Sequence, residues 1–201
     1  MEELTLEDSI RKLEKDLRIR EGFIENLLNE DDWSFVIKGH SFIEAAVSHL
    51  LVKALDRPNL DEVFSLLELS NKRTGKMAFV KALDVLDADT RRFISAFSEL
   101  RNKLVHDISQ VSFSFPTYVA QMDANQFAEF VKAFGYFAIG DTFERDGISV
   151  RVADFLKRDP KRGAWFSLNV CVGVIYLKKD IAALKEMRRL QILSVLNSLP
   201  T

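Results

Sequence analysis

Apolar residues recur along most of the chain at the three- and four-residue spacing of amphipathic helices, and polar breaks between those runs mark the elements. Thr5, with Asp8 three residues on, reads as a capping box. Ile10, Leu13, Leu17, Ile24 and Leu27 then predict helix to about residue 29. A second helix is predicted from about Trp33 to Leu55. It closes at Arg57-Pro58, because proline disfavours helical geometry in the residue before it. Asn59 is expected to cap a short helix bearing Val63, Phe64, Leu66 and Leu67. The polar stretch SNKRTGK at 70–76 reads as a loop, and Met77 to about Leu86 as the next helix. Asp87 or Asp89 should open a helix in which Phe93, Ile94, Phe97, Leu100 and Leu104 make one buried stripe. Asp123 with Gln126 caps a helix carrying Phe127, Phe130, Val131, Phe134 and Phe137, which reads as core.

Two segments leave the helical pattern. Val111, Phe113 and Phe115 alternate with polar residues, predicting a short extended segment at 111–115 that Pro116 ends. Asp146-Gly147 predicts a turn, and Ile148, Val150 and Val152 a second extended segment at 148–153. The last helix is predicted from about Arg162 to Asn197. Its first half is apolar nearly all round, and its second half carries Ile181, Leu184, Met187, Leu190, Ile192 and Leu193. Some 35 residues at about 1.5 Å each exceed a compact domain, so this helix should bend near Gly173 or lay its end on a partner. With no internal repeat, low-complexity tract or long linker, the expectation is one all-α domain over 1–201. Its motif-bearing bundle lies at about 30–110 and its C-terminal helices at about 123–197.

Composition narrows the function classes. At 47% hydrophobic and 29% charged the chain is globular in type, and a net charge of −2 supplies no global field toward nucleic acid. Any RNA contact must come from a local patch. The single cysteine, Cys171, excludes an internal disulfide and reads as an inert core thiol. The longest uncharged run, GAWFSLNVCVGVIYL at 163–177, falls short of the roughly 20 residues that cross a bilayer. The expectation is therefore a buried helix, no membrane partner and a cytoplasmic location.

The candidate chemistry lies in FSELRNKLVHD at 97–107, where a core helix ends with Arg101, Asn102 and His106. Histidine titrates near neutrality and both accepts and donates a proton. Arginine offers a permanently charged fork matched to phosphate oxygens. Asparagine holds a hydroxyl or non-bridging oxygen without adding charge. Asn102 and His106 share a helix face, but Arg101 and His106 lie about 140° apart around the axis. They converge only if the helix end unwinds or a second subunit completes the site. The competing structural reading is that these side chains, with Lys103, oppose the negative end of the helix dipole. His40 and Glu44, at i and i+4, form either a supporting acid–base pair or a surface or capping pair, Asp107 is a further supporting candidate, and His49 reads as a helix-face residue. Two basic clusters, Lys157, Arg158, Lys161 and Arg162, then Lys178, Lys179, Lys185, Arg188 and Arg189, interleave with acids and read as solvated faces, the alternative for either being the phosphate-tracking surface that a ribonuclease needs. No HExxH, CxxC or carboxylate cluster has ligand spacing, so no metal or other cofactor is expected.

LRNKLVHD, Leu100 to Asp107, resembles the signature of the HEPN superfamily (higher eukaryote and prokaryote nucleotide-binding domains). That signature is an arginine, then a polar residue, with a histidine a few positions on at the end of a core helix. The resemblance implies an up-and-down helical bundle and a homodimer in which two motifs line one cleft. It also implies metal-independent cleavage of RNA by Arg101, Asn102 and His106, in a toxin, defence or stress-response setting. Length, the stretch SFVIKGHSFIEAAVSHLL and the ending at Asp107 are most similar to the mannitol operon repressor group. That likeness implies instead a regulatory module with a protein partner. HEPN toxins paired with a nucleotidyltransferase commonly carry a tyrosine two residues past the histidine; here Ile108 stands there.

Overall fold

The computed structural model describes residues 5–71, 73–145 and 147–197, with side chains at all of these except 108, 185, 186 and 188–197. Helices dominate it: α1 (Leu6–Asp16), α2 (Phe23–Leu27), α3 (Asp32–Leu55), α4 (Asp61–Leu66), α5 (Lys76–Ala82), α6 (Ala88–Val105), α7 (Phe115–Ala120), α8 (Ala124–Phe134), α9 (Val152–Arg158) and α10 (Pro160–Asn197). Strands β1 (Thr142–Arg145) and β2 (Ile148–Arg151) pair as one antiparallel hairpin.

The central helix is α3, which packs on α10, α6, α4, α5 and α2. Phe35, Ile43, Ala46, Val47, Leu50 and Leu51 are fully buried along it. By length and composition α3 is apolar enough to cross a membrane; here most of its apolar surface is core. The α3–α6 pair is antiparallel. The Trp33 indole N–H donates to the Leu104 carbonyl (3.4 Å), and further along Gly39 lies against Phe97. In contrast, α10 runs parallel to α3. Lys161 pairs with Asp32 (3.2 Å), Leu168 faces Gly39, and Lys179 near the far end acts on His49. A Cβ on Gly39 would sit 3.2 Å from both Leu168 Cδ2 and Phe97 Cζ, so the missing side chain lets three helices meet.

Several expectations hold. Thr5 with Asp8 and Asp123 with Gln126 both form complete capping boxes, and Asp87 caps α6. Phe130 and Phe134 are buried, stacked 4.5 Å apart. Others are corrected. The first predicted helix is two. After α1, Arg18 adopts φ 55°, and the carboxylate of buried Glu14 accepts the N–H groups of Gly22 (2.8 Å) and Ile24 (3.0 Å) at the start of α2. An inward carboxylate supplies the cap that periodicity alone ignores. Asn59 caps nothing: Pro58–Leu60 is a 3-10 turn set by its proline, and α4 follows without a side-chain cap.

Residues 111–115 form no strand: only Phe113 and Ser114 are extended, as the link between a turn and a helix. Ile108–Ser112 is a 3-10 turn, and Pro116 lies in the first turn of α7 rather than ending a strand, since its missing N–H costs nothing there. Phe113 and Phe115 pack edge to face (5.1 Å), and Phe115 packs on Phe35 (5.8 Å). The second extended segment is real over Ile148–Arg151, with Val152 already in α9. Of its predicted turn, Gly147 has φ 76°, while Asp146 lies outside the described residues.

The long helix runs unbroken through Gly173, where Leu6 of α1 occupies the space a side chain would take. Lys179 is its last buried residue among those described, held by Asp16. Beyond it Ile181, Leu184 and Met187 are 46%, 59% and 55% exposed, and the side chains of Leu190, Ile192 and Leu193 lie outside the description.

Candidate functional site

The motif stands where α6 meets the start of α3. Leu100 and Leu104 point into the core, which turns Arg101 and Asn102 to a half-buried position and leaves His106 and Asp107 exposed. The Arg101 guanidinium donates to Asn102 Oδ1 (2.9 Å), so these two side chains form one unit. The helix keeps its form to Val105, and His106, at φ −85° and ψ −10°, continues it. The end does not unwind. Arg101 and His106 therefore remain about 140° apart, and a single chain does not bring them together. Among the described residues His106 makes no side-chain hydrogen bond or ion pair. Asp107 does not support it: its carboxylate accepts from Ser109 N (2.9 Å) and Ser109 Oγ (2.8 Å) as the cap of the next turn, bonds that hold it below the usual carboxylate range.

The imidazole that shares surroundings with Arg101 is His40. It is 4% exposed, so the reading of His40 and Glu44 as a surface pair is corrected. Burial, then the Arg101 guanidinium, push His40 down to about 4; Lys76 acts in the same sense, against Glu44 and Glu68. The ring is neutral at pH 7. Its Nδ1 lies 4.0 Å from Glu44 Oε2, too far for a hydrogen bond, and has no partner. Glu44 is instead held by Lys76, whose Nζ is 2.8 Å from Glu44 Oε1. The lysine side chain is 2% exposed and the glutamate 30%.

Lys76 is the residue that sequence reading missed, because SNKRTGK looks like a solvated loop. The loop is in fact closely tied. Asn71 Oδ1 accepts from the N–H groups of Arg73 and Thr74 (3.0 Å each), and Lys76 N donates to Glu68 O (3.0 Å). A Cβ on Gly75 would collide with Glu68 O and come within 2.8 Å of Asn71 O. The glycine–lysine pair at a helix start was the available signal. Gly75→Ala is expected to lose about 1–3 kcal/mol through this backbone clash, read as a lower urea midpoint at unchanged m-value.

A groove of about 810 Å³ opens beside this pair, with Glu44, Lys76, Ser41, Ser48 and His49 in its wall. Its charges balance: Arg18, Lys53, Arg57 and Lys76 against Asp16, Glu44, Asp56 and Asp61. Arg101, Asn102 and His106 are not in its lining. His49 is half-buried, and burial lowers its affinity for a proton. In the first basic cluster Lys161 pairs with Asp32 and Arg162 with Asp159 (3.3 Å), while Arg158 lies over the Phe155 ring. Of the second, Lys185, Arg188 and Arg189 fall outside the described side chains. The Cys171 thiol is buried, which pushes its pKa up. Among the described residues no group of three or more His, Cys, Asp or Glu is placed to hold a metal. Comparison with protein-family models, curated proteins and solved structures finds no match to the chain.

Proposed function

We propose that the chain is a HEPN-type, metal-independent endoribonuclease whose cutting site is completed by a second copy. The observation that carries this reading is the state of the motif: Arg101 and Asn102 form one half-exposed unit, and His106 stands exposed and uncommitted. A helix end serving structure alone would spend these side chains on buried partners, as Asp107 is spent on its turn. His106 takes the proton of a ribose 2′-hydroxyl, and that oxygen attacks the adjacent phosphorus. Arg101 carries the added charge on the phosphorane, and Asn102 orients it. The His106 imidazolium then gives its proton to the departing 5′-oxygen, leaving a 2′,3′-cyclic phosphate and a 5′-hydroxyl. Because the two charged groups diverge within one chain, Arg101 of one copy works with the histidine of the other.

The test is cleavage of single-stranded RNA in EDTA. His106→Ala is expected to lose about 10²–10⁴-fold in rate, the range of general acid–base contributions. Equal turnover by wild type and variant would remove the assignment.

The balanced charge of the 810 Å³ groove favours a second reading, a non-catalytic regulatory module like the mannitol operon repressor group. That reading expects no RNA turnover, a stable complex with another protein, and indifference to His106→Ala.

A further inference from the structure

The polar groups beside Arg101 in the same chain carry a second inference. Two buried side chains that favour an anion flank Glu44 from two elements, His40 from α3 and Lys76 from the start of α5, and the Arg101 charge on α6 acts on His40. Both have nowhere to go, for Lys76 is 1% exposed and His40 4%. Nδ1 of His40 is an unpartnered ring nitrogen in the interior. The anion present is the Glu44 carboxylate, which holds Lys76 at 2.8 Å but misses His40 Nδ1 at 4.0 Å. Glu44 is 30% exposed and, with Lys76, lines the groove. Glu44 can swing into groove water, whereas a buried ammonium left without a counter-charge is strongly unfavourable. Whatever displaces Glu44 must therefore itself be an anion.

We propose that His40 and Lys76, beside the Arg101 charge, form a subsite for a phosphate group, with Glu44 as the displaceable counter-ion that holds Lys76 while the subsite is empty. A phosphate has oxygens enough to take a bond from the ammonium and one from the imidazole N–H at once, which the Glu44 carboxylate does not do here. Glu68 adds a further negative charge near His40, and the subsite works against it. This rests on the phosphate-handling reading of Arg101 and deepens it, placing a phosphate of the substrate against α3 in the same chain. The cut itself stays at the composite motif.

The experiment uses the full chain labelled with ¹⁵N and reads the histidine ring resonances while inorganic phosphate is added at pH 7. A saturable shift of the His40 resonances is expected. Glu44→Gln removes the competing charge and leaves an oxygen for Lys76, and it is expected to tighten phosphate binding about tenfold. Lys76→Met is expected to abolish the shift; should it fail to fold, the Glu44→Gln comparison stands without it. No saturable His40 shift in wild type or Glu44→Gln overturns the subsite, as does a shift confined to His106 or weaker binding by Glu44→Gln. The two proposals fail separately. RNA cleavage with a silent His40 sinks the subsite alone, and a phosphate response without RNA cleavage sinks the nuclease alone.

Discussion

Glu44→Ala is expected to cost about 3–5 kcal/mol of folding stability, while Lys76→Met, which breaks the same ion pair, is expected to cost about 1 kcal/mol. The asymmetry follows from where the two charges sit. Lys76 is 2% exposed, so deleting its carboxylate strands an ammonium in the interior. Glu44 is 30% exposed on a groove, so water takes over its solvation when the ammonium is replaced by an apolar chain of similar length. Glu44→Gln should fall between, because the amide oxygen still accepts from Lys76. Urea unfolding at pH 7 checks this, with equal m-values as the condition for comparison. Equal losses for Glu44→Ala and Lys76→Met would mean that the lysine is hydrated and that the pair is an ordinary surface contact.

Acidification from pH 7 to 4.5 is expected to remove about 2.5 kcal/mol through His40 alone. The ring's folded pKa is pushed down to about 4 against 6.5 when unfolded. Above pH 6.5 both states are neutral and the full stability is present. Below it the unfolded chain takes up a proton that the folded chain refuses, so stability falls with pH until the folded ring also protonates near 4. His49 acts in the same direction. Carboxylates such as Asp31 and Asp87, lowered by bonds to Ser34 and Thr90, lose their contributions only below the ordinary aspartate value of 3.8. The window between 6.5 and 4.5 therefore isolates the histidines. His40→Gln should flatten most of the slope in a series of urea midpoints; an unchanged slope would show that the imidazole is reached by water.

Much of this molecule was legible residue by residue. The capping pairs Thr5–Asp8 and Asp123–Gln126, and the stripe of α6, are local, and local preference was enough for the helices they start. The same holds for Arg101, Asn102 and His106, whose separation around the axis follows from helical geometry before any packing is considered. What was not legible depends on residues far apart in sequence. Buried Glu14 splits the first helix because it reaches back to the amides of Gly22 and Ile24. Phe115 starts a helix where alternation suggested a strand, since its N–H donates to Asp32 Oδ2 (2.7 Å), 83 positions away, and its ring packs on Phe35.

The candidate site divides along the same line. Periodicity put His40 and Glu44 on one face of α3, but it was silent on whether that face is wet. Burial came from α5 and α6 closing over it, and the partner of Glu44 came from Lys76, 32 positions on, at the end of a stretch whose composition looks solvent-facing. A helix is written in bonds to residues four away, so a chain can declare it in advance. A charge acquires its partner and its depth only when distant segments pack, and that is settled by the fold as a whole.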